Sequence, residues 1–449
     1  MKAITVKDLV SAVHGELLSG ALTTSFDAVS TDSRSVPDGA LFIPIVGETF
    51  DGHSFIDKAL AAGAAGCLCA TVLETLKNGK FYVRAADTTV AYNYLAAWYR
   101  GQFDLPVVQV TGSVGKTTTK EMIASVLSQR FKTLKTEANY NNEIGTPMTL
   151  LRLDETYEAA VIETGMDRAG QIRYLGEMVK PTVAVITNIG DMHIEYLGSR
   201  EGIFKAKSEI FENLAADGIA VLNGDDEWLN RVCLPQEIVT VGKSGHCAVR
   251  VTDIADRGID GVFCVVTSGK ARYELNIPAP GAHMIYPAST AVAVGEALGL
   301  SVDEITRGVA AYEPAGARMR VVQLSNGRRL LDDCYNAGPQ STRAALHVLA
   351  NSEGGTVAVL GDMAELGGLT VEAHRGIGAL AKELGVGKVI AIGAKAKDIA
   401  ETSGGAWFAT VDEALSAIKA AFAPDTAMLV KASHSMHFEK ITEELTKGS

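Results

Sequence analysis

The segment Gly112-Ser113-Val114-Gly115-Lys116-Thr117 puts two glycines, a lysine and a hydroxyl residue within six positions. Such a set suits phosphate. Glycines let backbone N–H groups turn inward around phosphate oxygens, the lysine neutralises the β- and γ-phosphates, and the hydroxyl ligates Mg²⁺. The usual G-x-x-x-x-G-K-[ST] spacing needs a further glycine at position 110, which is valine. An ordinary strand-to-helix glycine turn with a solvated lysine is the plain alternative, but the TTT run after the glycine and lysine favours a nucleoside triphosphate. Glu163 closes AAVIETG and His193 follows TVAVITNIGDM. Near strand ends, Glu163 can hold Mg²⁺ through oxygen and His193 a second divalent ion through nitrogen. A loop carboxylate and a surface histidine fit those positions equally simply. Asp332 and Asp333 in LLDDCYNAGP follow a strand and suit either ribose hydroxyls or the cap of a helix beginning near Ser341. Lys207 in EGIFKAKSEIF reads, on its own, as a solvated helix lysine.

The elements that must position these groups fall into three blocks. Residues 1–84 hold short apolar runs (ALFIPIVG, GAAGCLCA, KFYVRA) between Gly and Asp turns, a small α/β unit. Residues 85–313 begin a second block in which VVQVTGSVGKTTTKEMIASVLSQRF reads as strand, glycine turn and long amphipathic helix. Further buried-type strands (AAVIETG, TVAVITNIG, GIAVLNGDD) alternate with helical segments, which predicts a doubly wound parallel sheet covered on both faces. Residues 314–449, beyond the Pro/Gly/Ala cluster EPAGARM, repeat the pattern with TVAVLGDM, KVIAIGA and AMLVKAS. The fold class is therefore α/β in three domains: a small N-terminal one, a central phosphate-loop one and a C-terminal Rossmann-like one.

Composition sets the outer bounds. At about 150 residues per domain, 449 residues make about three domains. The net charge of -12 argues against a nucleic-acid binder or a protein drawn to anionic membranes. MKAITVKDLVSAVHGELLSG is broken by Lys7, Asp8, His14 and Glu16 and is no signal peptide, and no run reaches the ~18 apolar residues of a membrane span. Six scattered cysteines read as buried reduced thiols of a cytoplasmic protein.

Over roughly residues 25–440 the chain resembles the Mur ligases. STDSRSVPDGALFIPIVGETFDGHSFIDKAL resembles their UDP-sugar-binding domain. TGSVGKTTTKEM, NYNNEIGTPMTLL, IETGMDRAGQI, ITNIGDMHIEYLGS and AKSEI resemble their central ATPase domain, and GARM, DDCYNAGPQST, VLGDMAELG and VKASHSMHFE their C-terminal domain. YNAGP followed by LGDMAELG is similar to the branch that adds D-alanyl-D-alanine. The first block sets the chain apart from folylpolyglutamate synthase.

That resemblance implies an ATP- and Mg²⁺-dependent ligase joining D-alanyl-D-alanine to UDP-N-acetylmuramoyl-tripeptide through an acyl phosphate. It implies a cytoplasmic monomer, without nucleic acid or membrane insertion. By the same resemblance Ser30, Thr31, Asp32, Ser33, Arg34 and His53 lie at the UDP-sugar end. Gly112, Ser113, Val114, Gly115, Lys116, Thr117 and Thr118 hold ATP and Mg²⁺, with Lys116 acting on the transferred phosphoryl group. Asn141, Asn142 and Thr146 face the reacting centre. Thr117, Glu163 and His193 bind magnesium, joined by Lys207 as a carbamylated lysine. Arg318, Asp333, Tyr335 and Asn336 reach the nucleotide from the third block. Three positions depart from the family pattern: Pro287 where an adenine-contacting asparagine is usual, Gly338 where asparagine is usual, and His434 where arginine is common. They leave open a diverged Mur-type ligase joining another amine or carboxylate. A nucleotide-binding protein with a dead site is disfavoured by the intact Lys116, Glu163, His193 and Lys207.

Overall fold

The computed structural model describes residues 1–47, 50–71 and 75–447. Among these residues three large sheets follow one another along the chain. The first has the strand order Glu16–Ser19, Phe81–Arg84, Gly66–Cys69, Leu41–Phe42, Val29–Ser30. The apolar runs of the first block supply its inner strands.

The central sheet is built around Val107–Thr111, a five-residue strand buried along its whole length. Ala159–Glu163 and Val183–Ile186 flank it in parallel. The register pairs Glu163 with Val110 and Ile186 with Thr111, so the carboxyl ends of three adjacent strands lie level. Whatever follows each strand therefore meets at one rim: the glycine loop after Thr111, the side chain of Glu163, and Thr187 and Asn188. Parallel strands covered by helices on both faces need continuous apolar sequence, which VVQV, AAVI and VAVI provide.

The expected parallel central sheet is present and carries an antiparallel extension at one edge. Val249–Asp256, Val262–Thr267 and Arg272–Ile277 extend it, and the last two run antiparallel to their neighbours. Arg272–Ile277 alternates strictly between exposed and buried residues, as fits a strand with one face on the core and one in water. The third sheet has the order Arg320–Gln323, Arg329–Asp332, Thr426–Lys431, Gly355–Gly361, Lys388–Ile392, Ala406–Phe408, parallel except for its first pair.

The cores join the first two sheets and separate the third. One continuous apolar cluster runs from Ile4, Leu41 and Val83 through helix Thr88–Arg100 to Leu150, Ile162, Leu175 and Val179. The third sheet packs its two faces into clusters drawn mainly from residues beyond 317. Cys233 is exposed, which corrects the reading that all six thiols are buried; the other five are buried and unpaired. No helix among the described residues is long and apolar enough to cross a membrane.

Candidate active site

The loop after Thr111 is fixed from behind by the neighbouring strand end. Thr187 Oγ1 donates to Val114 O at 2.6 Å, Ser113 N donates to Asn188 O at 3.1 Å, and Val114 N donates to Asn188 Oδ1 at 3.0 Å. Gly112 sits at φ +151°, and a Cβ there would stand 1.9 Å from Thr187 Oγ1, so glycine is required by close approach. Val110 is fully buried strand, which is why the extra glycine of the longer phosphate loop has no place here. Gly115, at φ +81°, turns the chain into helix Lys116–Leu127, whose N-terminal N–H groups then face the loop.

Lys116 Nζ donates to Gly112 O at 2.9 Å, folding the lysine over the loop. Thr117 Oγ1 donates to Glu163 Oε2 and Asn141 Nδ2 to Glu163 Oε1, each at 2.7 Å. Glu163 is thus a carboxylate 1% exposed, held by two neutral donors and forming no ion pair among the described residues. That donor set suits a hard cation, which prefers carboxylate and hydroxyl oxygen.

A cavity of about 540 Å³ opens over this loop and is closed from the far side by the third domain. Ser113, Val114, Gly115, Lys116, Thr117, Thr118, Asn141 and Glu163 line it from the centre; Arg318, Asp333, Tyr335 and Asn336 line it from the C-terminal side. The Arg318 guanidinium lies 3.7 Å from the centre of the Tyr335 ring, and His434 packs on the same ring at 5.5 Å. Asp333 is no helix cap: the following helix is Pro339–Ala350, with Gly338 at its N-cap. Its Oδ1 accepts from Met319 N at 3.0 Å, and its Oδ2 forms a buried ion pair with Lys431 at 2.7 Å. Asp332 turns the other way, to Arg320 at 2.8 Å. Of the departures, Pro287 and Gly338 line the cavity. A Cβ on Gly338 would meet Met192 Sδ at 2.8 Å, so the glycine leaves room for that methionine.

Lys207 corrects the reading from local sequence. It is 1% exposed, on helix Arg200–Ser208, and shares the inward stripe with Ile203, Ala206 and Ile210. Burial, with the charge of Lys116 nearby, pushes its ammonium well below the ordinary lysine range. Its Nζ has no hydrogen-bond or ion-pair partner among the described residues. His193, at φ +66°, brings Nδ1 to within 2.9 Å of Glu365 Oε2 of the third domain. Thr146 is fully buried with an unpartnered Oγ1, and Asn142 Oδ1 caps the turn at Ile144 and Gly145. Neither these four residues nor Gly112 lines the cavity.

The N-terminal candidates form a separate group. Ser30 Oγ donates to the carbonyls of Asp32 and Ser35 and accepts from Asp32 N, which curls the loop holding Thr31 and Ser33. Arg34 forks onto Asp32 with contacts of 2.8–3.2 Å, which holds the Asp32 carboxyl near the bottom of its range, at about 2. His53 accepts from Ala70 N at Nε2 and faces Asp51 with Nδ1, so both ring nitrogens have protein partners. Thr187, Asn188, Lys431 and Glu365 had not been singled out from sequence. The dipeptide TN directly after a buried strand was a usable signal for the first two; the others depend on partners 98 and 172 positions away.

Fold and site together define a three-domain α/β enzyme that handles a nucleoside triphosphate between its second and third domains. Comparison with known proteins narrows this. The Mur ligase middle domain matches residues 110–295, the Mur ligase glutamate ligase domain residues 317–434, and the Mur ligase family catalytic domain residues 25–87. The UDP-N-acetylmuramoyl-tripeptide–D-alanyl-D-alanine ligase of Escherichia coli is 37% identical over 100% of this chain and 99% of its own. The Bacillus subtilis ligase of the same name is 34% identical over 99% and 98%. Among solved structures, MurF from Acinetobacter baumannii superposes with a TM-score of 0.93 at 31% identity, covering 99% of both chains. MurF from Thermotoga maritima in complex with ADP gives 0.83 at 26%, covering 93% of this chain and 96% of its own. The chain belongs to the Mur ligase family.

Proposed function

We propose that this chain joins D-alanyl-D-alanine to UDP-N-acetylmuramoyl-tripeptide at the expense of ATP, in the cytoplasm, as a step of peptidoglycan precursor synthesis. The observation that carries the reading is the cavity itself: a phosphate loop on one wall and Arg318, Asp333 and Tyr335 on the other. A peptide carboxylate is a poor acyl donor. Transfer of the γ-phosphoryl group to it yields an acyl phosphate and ADP. The dipeptide amine then attacks the acyl carbon, loses a proton, and phosphate leaves from the tetrahedral intermediate. Lys116 and the loop N–H groups stabilise the charge on the transferring oxygens. Closure by the third domain excludes water, which would hydrolyse the acyl phosphate.

Thr117 and Glu163 would hold Mg²⁺, and His193 a second divalent ion. Bound there, the cations supply neutralisation of phosphate charge. Asn141 orients Glu163 for that role. Lys207 fits a carbamate: its depressed basicity favours the neutral amine that attacks CO₂, releasing one proton and leaving an anion with two oxygens on a long arm. Ser30–Arg34 would meet the UDP-sugar, with His53 fixing the neighbouring strand end. The test is amine-dependent release of ADP and phosphate with D-alanyl-D-alanine against other amines, using UDP-N-acetylmuramoyl-tripeptides that differ at the third residue. Turnover that prefers another amine by tenfold or more would overturn the assignment.

A further inference from the structure

Glu365 belongs to the third domain, in the LGDMAELG segment after strand Gly355–Gly361, yet its carboxylate lies against His193 of the central domain. The two atoms that face each other, His193 Nδ1 and Glu365 Oε2, are shut off from solvent and 2.9 Å apart. The contact is an ion pair when the imidazole is protonated, and neither atom has another polar partner among the described residues. With the imidazole neutral, a buried nitrogen lone pair and a carboxylate oxygen can both be satisfied by one cation bound to the two of them. An octahedral magnesium ion with bonds of about 2.0–2.1 Å sets neighbouring ligand atoms about 2.8–3.0 Å apart, one edge of the octahedron. The observed separation of 2.9 Å, also that of an ordinary ion pair, is compatible with that edge.

The backbone supports the same point. His193 and Glu365 both take left-handed conformations, φ +66° and φ +60°, uncommon for residues other than glycine and the more so for glutamate. Backbone of that kind persists where surrounding structure enforces it and clusters at ligand sites. The two loops are docked around the pair: a Cβ on Gly367 would touch Glu195 at 3.6 Å, and Met192 fills the space beside Gly338.

We infer that Glu365 is a ligand of the divalent cation held by His193, supplied across the cleft by the third domain, so that this cation ties the two domains together when the enzyme closes. The inference rests on the reading of His193 as a metal ligand. It assigns to the metal site a carboxylate outside the central domain and makes cation affinity depend on closure.

The test uses the full chain with Mn²⁺ as the probe, read by electron paramagnetic resonance, alone and with a non-hydrolysable ATP analogue. Small-angle scattering reads the radius of gyration in parallel. Glu365→Gln keeps the shape of the side chain. Glu365→Gly removes it while suiting the φ of +60°, so the loop retains its course. Both variants are expected to weaken one Mn²⁺ site of the analogue-bound protein by roughly tenfold or more and to abolish Mn²⁺-dependent contraction. Unchanged Mn²⁺ affinity in both variants, with affinity lost in His193→Ala, would overturn the assignment of Glu365 and leave the reading of His193 standing. Unchanged affinity in His193→Ala would overturn both.

Discussion

Replacing Lys207 with methionine should make the protein more stable and inactive. Lys207 is 1% exposed, lies on an apolar helix stripe with Ile203 and Ala206, and its amine has no hydrogen-bond or ion-pair partner among the described residues. A buried polar group without a hydrogen bond costs about 1–3 kcal/mol by mutational measure, and an unbranched apolar side chain of similar length removes that cost. Lys207→Met should therefore gain about 1–3 kcal/mol in urea unfolding of CO₂-depleted protein at pH 7. The pH dependence has a definite sign. The folded-state pKa lies well below the ordinary range, so between the two values the unfolded chain holds a proton that the folded chain does not. Wild-type stability then rises with pH across that window, and its deficit against Lys207→Met narrows. Bicarbonate should narrow it further, since carbamylation of the folded state alone adds about 1.4 kcal/mol at ten times the dissociation constant. Lys207→Ala should lose activity and recover part of it with formate or acetate, which occupy the vacated oxygen position. A methionine variant that is less stable than wild type at every pH, or fully active, would refute this account of the residue.

Three further outcomes are expected. Lys116→Ala should fold normally and lose several kcal/mol of transition-state stabilisation, about the scale of one charge-stabilising group, seen as ADP release at background level. Pro287→Asn should lower the KM for ATP about two- to tenfold with kcat unchanged, since one neutral hydrogen bond contributes about 0.5–1.5 kcal/mol. Lys431→Met should cost about 3–5 kcal/mol by leaving Asp333 buried and unpaired, and adding Asp333→Asn should recover most of that loss in chemical denaturation.

The parts of the site that sequence disclosed are those built from one strand and the turn after it. The glycine loop, Lys116, Thr117 and Glu163 are of this kind, because the level register of three strands turns sequence position directly into position at the rim. Lys207 was misjudged from local sequence because lysine is usually solvated. Its spacing from Ile203 and Ile210, four and three positions away, was the available sign that it lies on the buried stripe. The Lys431–Asp333 pair and the approach of Glu365 to His193 were illegible, since each depends on how separate strand ends meet in space. The antiparallel edge went unread for another reason: in VRVTDIAD only Val249 and Val251 are buried, and the strand runs on into exposed residues.

The apolar cluster shared by the first two sheets has a consequence for how the chain is made. Helix Thr88–Arg100, which shares its cluster with the N-terminal sheet, packs on helices Gly145–Leu150 and Gln171–Val179, which a ribosome adds only after that sheet is complete. At about 5–20 residues per second, the 74 residues from Leu105 to Val179 take roughly 4–15 s, during which that side of helix Thr88–Arg100 lacks its later partners. A nascent chain stalled in this interval presents an open apolar surface to chaperones and proteases. Expression of residues 1–105 alone should accordingly yield insoluble protein, whereas a fragment ending beyond the central sheet has the residues to close its own core. The C-terminal domain, whose clusters lie mainly beyond 317, carries no such debt to what precedes it.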